Sequence, residues 1–400
     1  MKQYPDYDLS AHNTFGMKVR CALFIDITAE EELAALDFSS LPQPVFVMGG
    51  GSNLLFSGDF PGTVLHVGIT GMGAEEEGSG HVHPRTWAGE GARWPQVPAE
   101  RRDIVENGRG RSERSSTALI LRSQDDNTLE LTLGAGVVFD DFCAWAAAEG
   151  LWGPENLSLI PGEAGASAVQ NIGAYGVEAK DIITGIRAWD RLEGRFVDID
   201  PADCAYGYRT SRFKKEWKGR FIITAVSYRL SRTPQPKLDY GGVRKALEAR
   251  FSETEAEPTA SMENLSPQDI RDTIIAIRRQ KLPDPEEVGS AGSFFCNPVV
   301  PEAHFRRIVA VAQETNGPDY AVPHYVVDGG IKVPAAWMIE QCGFKGMRLG
   351  GAQVYPKQPL VIVNATGAAT PAEVIALRDR IIDTVRERYG VTLHPEVELV

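Results

Sequence analysis

The 400-residue chain is short of several things. No apolar run approaches the roughly 20 residues that cross a bilayer as a helix, so a membrane protein is not expected. The opening MKQYPDYDLSAHNTFG has neither the basic start nor the apolar core of a signal peptide, which makes the cytoplasm the expected location. Cysteine is sparse and odd in number, at Cys21, Cys143, Cys204, Cys296 and Cys342, with no C-x-x-C pair. That argues for reduced thiols and against a cysteine-based zinc or iron–sulfur site. Of seven histidines only His81 and His83 stand close together, in a polar glycine-rich stretch, and no metal is expected. An excess of positive charge is also missing. At a net charge of −13 the molecule will not seek nucleic acid or an anionic membrane. Any phosphorylated ligand must therefore be met by cations gathered locally.

What is present is the composition of an ordinary soluble globular protein, 43% hydrophobic and 24% charged, long enough for two or three domains. Short apolar strands at residues 22–27, 45–48 and 63–67, with a helix start at 29–33, make a small α/β unit. Residues 71–117 turn polar, rich in glycine, glutamate and arginine, and read as an insertion or mobile loop without a core, dispensable for chemistry. The strict alternation Leu129-Glu130-Leu131-Thr132-Leu133 is a strand, and residues 139–148 follow as a helix. Strand-like pieces at 196–199 and 221–230 make the second unit mostly sheet. A largely polar stretch reaches Pro267, and a helix over 268–280 stops before Pro283. The last third reads as a separate α/β unit with helices at 303–315, 335–342 and 372–389 and a strand at 360–364. Val374, Leu377, Ile381, Ile382, Val385 and Tyr389 recur at helical spacing. The fold class expected is α+β in three α/β domains: residues 1–69, residues 70–282 containing the insertion, and residues 283–400.

The most informative stretch is residues 160–178, IPGEAGASAVQNIGAYGVE. Its four glycines let backbone N–H groups approach a ligand closely, and ordering so long a run costs chain entropy that a ligand could offset. A second glycine turn, Gly49-Gly50-Gly51-Ser52-Asn53, follows the apolar run 45–48. Two such turns could cradle two parts of one large phosphorylated cofactor. Either alone reads equally as an ordinary tight turn.

Four patches carry candidate chemistry. In Tyr206-Gly207-Tyr208-Arg209-Thr210-Ser211, Arg209 offers a planar fork suited to a carboxylate, or simply stacks on tyrosine at the surface. In residues 289–298, GSAGSFFCNP, two phenylalanines could anchor a turn that holds the Ser293 hydroxyl rigidly, or the patch is a plain glycine turn. No G-x-S-x-G elbow is present, which disfavours nucleophilic hydrolysis and leaves a proton-relay serine. Arg278, Arg279 and Lys281 cluster in an acidic protein where a diphosphate could be held, or mark a solvated helix end. Glu396, in Leu393-His394-Pro395-Glu396-Val397, is a carboxylate in an otherwise apolar strand.

In this order the motifs resemble the UDP-N-acetylenolpyruvoylglucosamine reductase family, flavoenzymes that complete UDP-N-acetylmuramate in peptidoglycan synthesis. The resemblance runs from Asn13-Thr14-Phe15-Gly16 to Glu396, residues 71–117 excepted, and Tyr240-Gly241 is similar to the subclass with a tyrosine-bearing loop over the substrate. It implies that the first two domains form an FAD-binding module of the vanillyl-alcohol-oxidase type and the third binds substrate, its end returning to the active site. FAD, held without a covalent bond, would lie against Gly49, Gly50, Gly51, Ser52, Asn53, Ile160, Pro161, Gly162, Gly165, Ala166, Ser167, Asn171, Gly173, Tyr175 and Gly176. NADPH would bind first, reduce FAD and leave, and the sugar nucleotide would then enter the same site. Ser293 would be the proton donor, with Arg209 and Glu396 the other catalytic residues. Tyr240, Arg278, Lys281, Asn297 and Gln341 would contact substrate. A monomer is expected, serving cell-wall biogenesis and thereby cell shape and division. Cys296 stands where the family commonly has lysine, and Glu398 where a basic residue often follows the glutamate.

Two other readings stay open on the sequence. A flavin oxidase of the same superfamily would commonly tether FAD through histidine or cysteine near the first glycine turn, and residues 47–55 hold neither. A non-catalytic sugar-nucleotide-binding protein would not need Arg209, Ser293 and Glu396 together.

Overall fold

The computed structural model describes residues 1–70, 121–125, 127–240, 242–253, 262, 264–285 and 287–400. The expected insertion, residues 71–117, lies outside the described residues, as does Gly241. The chain divides into two compact units, one of residues 1–7, 22–50 and 61–278, the other of residues 8–21, 51–60 and 279–400.

In the first unit a four-stranded sheet runs in the order Lys2–Asp8, Arg20–Ile27, Phe60–Val67, Val45–Met48. Its last two strands are parallel, Val45 opposite Thr63 and Met48 opposite His66. A five-stranded antiparallel sheet follows the order Arg195–Ile199, Ile183–Asp190, Phe221–Ser231, Thr128–Gly134, Leu121–Asp125. The alternation at 129–133 does what its period dictates. Leu129, Leu131 and Leu133 point inward, opposite the equally buried Leu230, Tyr228 and Val226. The helix Phe139–Ala148 lays Phe139, Phe142, Cys143 and Ala146 on the same core, where Phe139 and Phe142 surround Tyr228. One hydrophobic core contains residues of both sheets, among them Ile25, Leu65, Leu131 and Ile222.

A smaller core joins the helices Val243–Glu253 and Pro267–Lys281 through Val243, Leu247, Ile270, Ile274 and Ile277. The spacing of the three isoleucines puts them on one helical face. On the same helix Arg271 reaches Asp140, with contacts of 2.5 and 3.0 Å, and Asp140 also accepts the Leu159 N–H at 2.5 Å. Leu159 is left-handed at φ 61° and leads into the glycine-rich run.

The second unit has a four-stranded antiparallel sheet, Gly289–Ser293, Val361–Asn364, Ala352–Val354, Arg348–Leu349, with the helices Glu302–Asn316, Ala335–Gln341 and Pro371–Tyr389. The last helix starts on a Thr370–Glu373 capping box with proline in its first turn and ends on Gly390 at φ 67°. Its apolar face buries Val374, Leu377, Ile381, Val385 and Tyr389, and Ile382 sits half-buried at the edge. The strand Glu398–Leu399 pairs in parallel with Leu54–Leu55, so the end of the chain lies beside the residues that follow the first glycine turn.

Three segments differ from expectation. Residues 289–293 form a strand with a register shift between Ser290 and Ser293, where a tight turn was expected. Within the glycine-rich run Ala164–Gln170 is a helix. The polar stretch before Pro267 holds the helix Val243–Glu253.

Asp140 ties one helix to another and to the start of the glycine-rich run. Asp140→Ala strands the largely buried Arg271 guanidinium, and the expected loss is about 3 kcal/mol of unfolding free energy, measured by urea titration.

Candidate active site

The residues singled out from the sequence fall into two groups, one in each unit, and each group is built by its own local fold.

In the first unit the run 160–178 is mostly regular structure. The helix Ala164–Gln170 ends on Asn171, left-handed at φ 47°. Asn171 Nδ2 donates to Glu178 Oε2 and to the Gly207 carbonyl, each at 2.9 Å, while its Oδ1 accepts the Lys180 N–H at 3.0 Å. Gly173–Ala174 then pairs with Val177–Glu178 across Tyr175 and Gly176. Both of these have positive φ, 47° and 84°, as a two-residue type I′ hairpin requires. A Cβ on Gly176 would also meet Tyr240 Cβ at 3.2 Å, so the hairpin tip runs close to that tyrosine. Pro161 is exposed, Ile160, Gly162 and Ala166 are half-buried, and Gly162 holds φ 122°, open only to glycine. Ser167 is spent on packing: its hydroxyl bonds the Ala164 carbonyl at 2.7 Å and Tyr228 at 2.8 Å. Gly165 likewise packs, a Cβ there falling 2.8 Å from Ala135 Cβ.

Arg209 sits in a turn between Gly207 and Thr210, whose backbones exchange hydrogen bonds of 3.0 and 3.1 Å. Its own φ is 55°, a conformation that costs a residue with Cβ about 1 kcal/mol and gathers at functional sites. The guanidinium donates to the Gly173 carbonyl and lies 5.5 Å over the Tyr208 ring. A Cβ on Gly173 would stand 2.8 Å from Arg209 Nη1, so the hairpin and the arginine turn interlock.

Tyr175 packs against the isoleucine cluster of the helix that carries Arg278. Burial lowers the Arg278 pKa, opposed by Tyr175 and Asp140, while Arg209 adds repulsion. Burial raises the Tyr175 pKa, so its phenol keeps its proton. Arg278 Nε is buried without a hydrogen-bond partner among the described residues. Two guanidiniums near one another, one with an unspent donor, suit an anion.

In the second unit Ser293 ends its strand just before Phe294 and Phe295, each 1% exposed. These rings lie 5.2 Å apart, and Phe15 meets Phe294 edge-on at 6.4 Å, so the phenylalanines do anchor the serine. Glu396 runs alongside. Its N–H donates to the Phe294 carbonyl at 2.8 Å, Cys296 N–H donates to the His394 carbonyl at 2.9 Å, and Asn53 Nδ2 donates to the Glu396 carbonyl at 3.0 Å. The Glu396 side chain is half-buried, less enclosed than an apolar strand suggests. The Asn13–Gly16 loop binds both neighbours: Thr14 receives the Ser290 N–H at 2.9 Å and donates through its hydroxyl to the Ser52 carbonyl at 3.2 Å. Gly51 holds φ 68°, and Gly289 passes so close to Phe15 that a Cβ would overlap its carbonyl. Asn297 Oδ1 accepts the Ala335 N–H at 2.9 Å. Lys281 is exposed at the last residue of its helix. Gln341 accepts from Asn316 at 3.1 Å and donates to the Tyr320 hydroxyl at 3.4 Å.

Sequence reasoning passed over a charged cluster beneath Gly49 and Gly50. His66 Nδ1 bonds Asp26 Oδ1 at 2.8 Å, and His66 Nε2 lies 3.5 Å from Glu163 Oε1. Burial alone would make His66 less basic, but hydrogen bonds to Asp26 and Glu163 outweigh it and raise its pKa to about 9. The signals were faint: one histidine in the buried run 63–69, and one acid among the small residues of 160–178.

Residues 116–200 match the family model described as FAD binding domain, and residues 284–400 match that described as UDP-N-acetylenolpyruvoylglucosamine reductase, C-terminal domain. A mixed helix-and-sheet protein with an FAD-binding domain is the class so defined. UDP-N-acetylenolpyruvoylglucosamine reductases of Bacteroides fragilis and Porphyromonas gingivalis are each 39% identical to it, over 98% and 99% of this chain and 99% and 98% of theirs. The corresponding Burkholderia ambifaria reductase is 39% identical over 98% of this chain and 95% of its own. The chain belongs to the UDP-N-acetylenolpyruvoylglucosamine reductase family. The crystal structure of such a reductase from Thermus caldophilus shares the fold, with a TM-score of 0.57 at 20% identity over 100% of this chain and 98% of that one.

The His66 cluster has a pH signature. Its folded pKa of about 9 lies above the ordinary 6.5, so its stabilisation is complete below pH 6.5 and is lost as pH rises through 9. Melting measured from neutral to alkaline pH should show a decline of about 3 kcal/mol that is absent in His66→Gln. A parallel decline in both proteins would contradict the assignment.

Proposed function

We propose that this chain catalyses the NADPH-dependent reduction of UDP-N-acetylglucosamine enolpyruvate to UDP-N-acetylmuramate through non-covalently bound FAD, in peptidoglycan precursor synthesis. The observation that carries this reading is the strand pairing that sets Glu396 beside Ser293-Phe294, with Asn53 of the glycine turn on the Glu396 carbonyl. The residues suit FAD. Gly51 and Gly162 hold backbone conformations open to glycine, and His66, the nearest histidine to the first turn in sequence, is enclosed between Asp26 and Glu163, not offered as a tether.

Bound FAD supplies hydride transfer, from NADPH to the terminal carbon of the enolpyruvyl double bond. The charge this sends toward the substrate carboxylate is assigned to Arg209, whose guanidinium is fixed by Gly173 and Tyr208 before substrate arrives. Ser293 then gives its hydroxyl proton to the neighbouring carbon. Serine is a weak acid, so rigid placement between the strand and the two buried phenylalanines must do what acidity cannot. Glu396 helps polarise the system while sharing a proton. Tyr240, Arg278, Lys281, Asn297 and Gln341 are assigned to the sugar nucleotide, and Gly49–Asn53 with the 160–176 run to FAD. The same reading gives residues 1–69 and 70–282 as a vanillyl-alcohol-oxidase-type FAD module and residues 283–400 as the substrate domain. It describes a cytoplasmic monomer serving cell shape and division.

Acid precipitation of the holoprotein should release all flavin into the supernatant, and colour in the pellet would contradict non-covalent binding. The sharper test is Ser293→Ala in stopped flow. Reduction by NADPH should stay near normal, since it needs no serine proton, while reoxidation by the enolpyruvyl substrate slows about 10²–10⁴-fold. Ser293→Cys should recover part of that rate. Equal slowing of both half-reactions would instead make Ser293 structural.

A further inference from the structure

Glu163 is an acid out of place. It stands at the N-cap of the helix Ala164–Gln170, yet its side chain makes no cap bond there. It turns under the first glycine turn, 6% exposed, where a Cβ on Gly49 would fall 2.9 Å from its Oε2 and one on Gly50 3.4 Å from its Oε1. Oε1 faces His66, itself held by Asp26, while Oε2 is buried with no hydrogen-bond partner among the described residues. Burying an unsatisfied carboxylate oxygen is costly, and evolution keeps such groups where they do something else.

Volume supplies the reason. Two adjacent glycines leave a backbone with wide conformational freedom, which must be lost again when a ligand is gripped. Glu163 Oε2 occupies the space that a side chain on Gly49 would need, and its Oε1 lies in van der Waals reach of a Cβ on Gly50, so it backs the turn from one side. A turn held in one path before binding has less freedom to lose on binding.

We propose that Glu163, clamped by the His66–Asp26 pair, is a positioning residue for the cofactor: it props the Gly49–Gly50 turn from behind and sets how tightly the flavin nucleotide is retained. This rests on the FAD reading above. The requirement for glycine at position 49 is then imposed by Glu163 itself, and shrinking one side chain makes room at the other.

The test titrates FAD into the full-length apoprotein, reading the dissociation constant by flavin fluorescence and, alongside, the apoprotein melting temperature. Failure of the unaltered chain to bind FAD would sink the functional reading and this inference with it. Given binding, Glu163→Ala should raise the dissociation constant at least about tenfold. Glu163→Gln, which preserves the volume, should stay within about threefold. Gly49→Ala should be severe in the unaltered background and much milder in Gly49→Ala/Glu163→Ala. Should Glu163→Ala fail to fold, Gly49→Ala with Glu163→Ser carries the same comparison. FAD affinity unchanged in Glu163→Ala, Gln as damaging as Ala, or equal damage from Gly49→Ala in both backgrounds would each overturn the proposal.

Discussion

The candidate residues Ser293 and Glu396 of the second unit are held together by one backbone clamp. Residues 394–396 pair with residues 294–296 on one side, while Asn53 reaches the Glu396 carbonyl and Glu398–Leu399 pair with Leu54–Leu55 on the other. Glu396 is thereby fixed by backbone hydrogen bonds, which do not depend on its own side chain. Each such bond is worth only about 1 kcal/mol net, so the precision comes from their number and from the buried phenylalanines between them.

The first unit solves a different problem. An acidic protein has to assemble positive charge locally, and it does so with residues held in costly states. Arg209 occupies a left-handed turn, Arg278 is pulled into a largely apolar setting, and Tyr175 forms half of a hairpin tip at positive φ. Folding supplies the energy for this from elsewhere: the isoleucine face of the helix Pro267–Lys281 and the Asp140–Arg271 pair. Tyr175, packed against the isoleucine face, links the hairpin to that support.

Much of this was legible in the sequence, for physical reasons that also mark where it was not. Helices at 139–148, 302–316 and 371–389 and the alternating strand at 128–134 declare themselves because each buries a single regular face. The helix Ala164–Gln170 did not, since its alanines and glycines show no contrast between faces. Val243–Glu253 buries only Val243 and Leu247 of its sequence in a small core, too few for a period to show. Ser293, Arg209 and Glu396 could be picked out by their motifs. Thr14, Asn53 and Phe294 lie in such motifs too, but the hydrogen bonds that join them to Ser52 and Glu396 could not be read, because they form only through tertiary pairing. The Asp26–His66–Glu163 cluster joins three separate segments, each contributing one polar residue to an apolar setting, and no local pattern reports it.

The clamp also has a consequence in time. Asn53 and Glu396 are 343 positions apart in sequence, so the bonds that Asn53, Leu54 and Leu55 make to the C-terminal residues cannot form until nearly the whole chain exists. At about 5–20 residues per second, a ribosome needs roughly 20–70 s to make that stretch. During that interval the first sheet can form while Leu54 and Leu55 remain an unpaired apolar edge, a hazard that chaperones exist to cover. Loop closure over such a distance adds only a modest entropic cost, growing with the logarithm of its length. The chain therefore completes its candidate site late in synthesis, and a nascent protein stalled before its final residues would have both glycine turns, with Thr14 on Ser52, but not the Asn53–Glu396 bond.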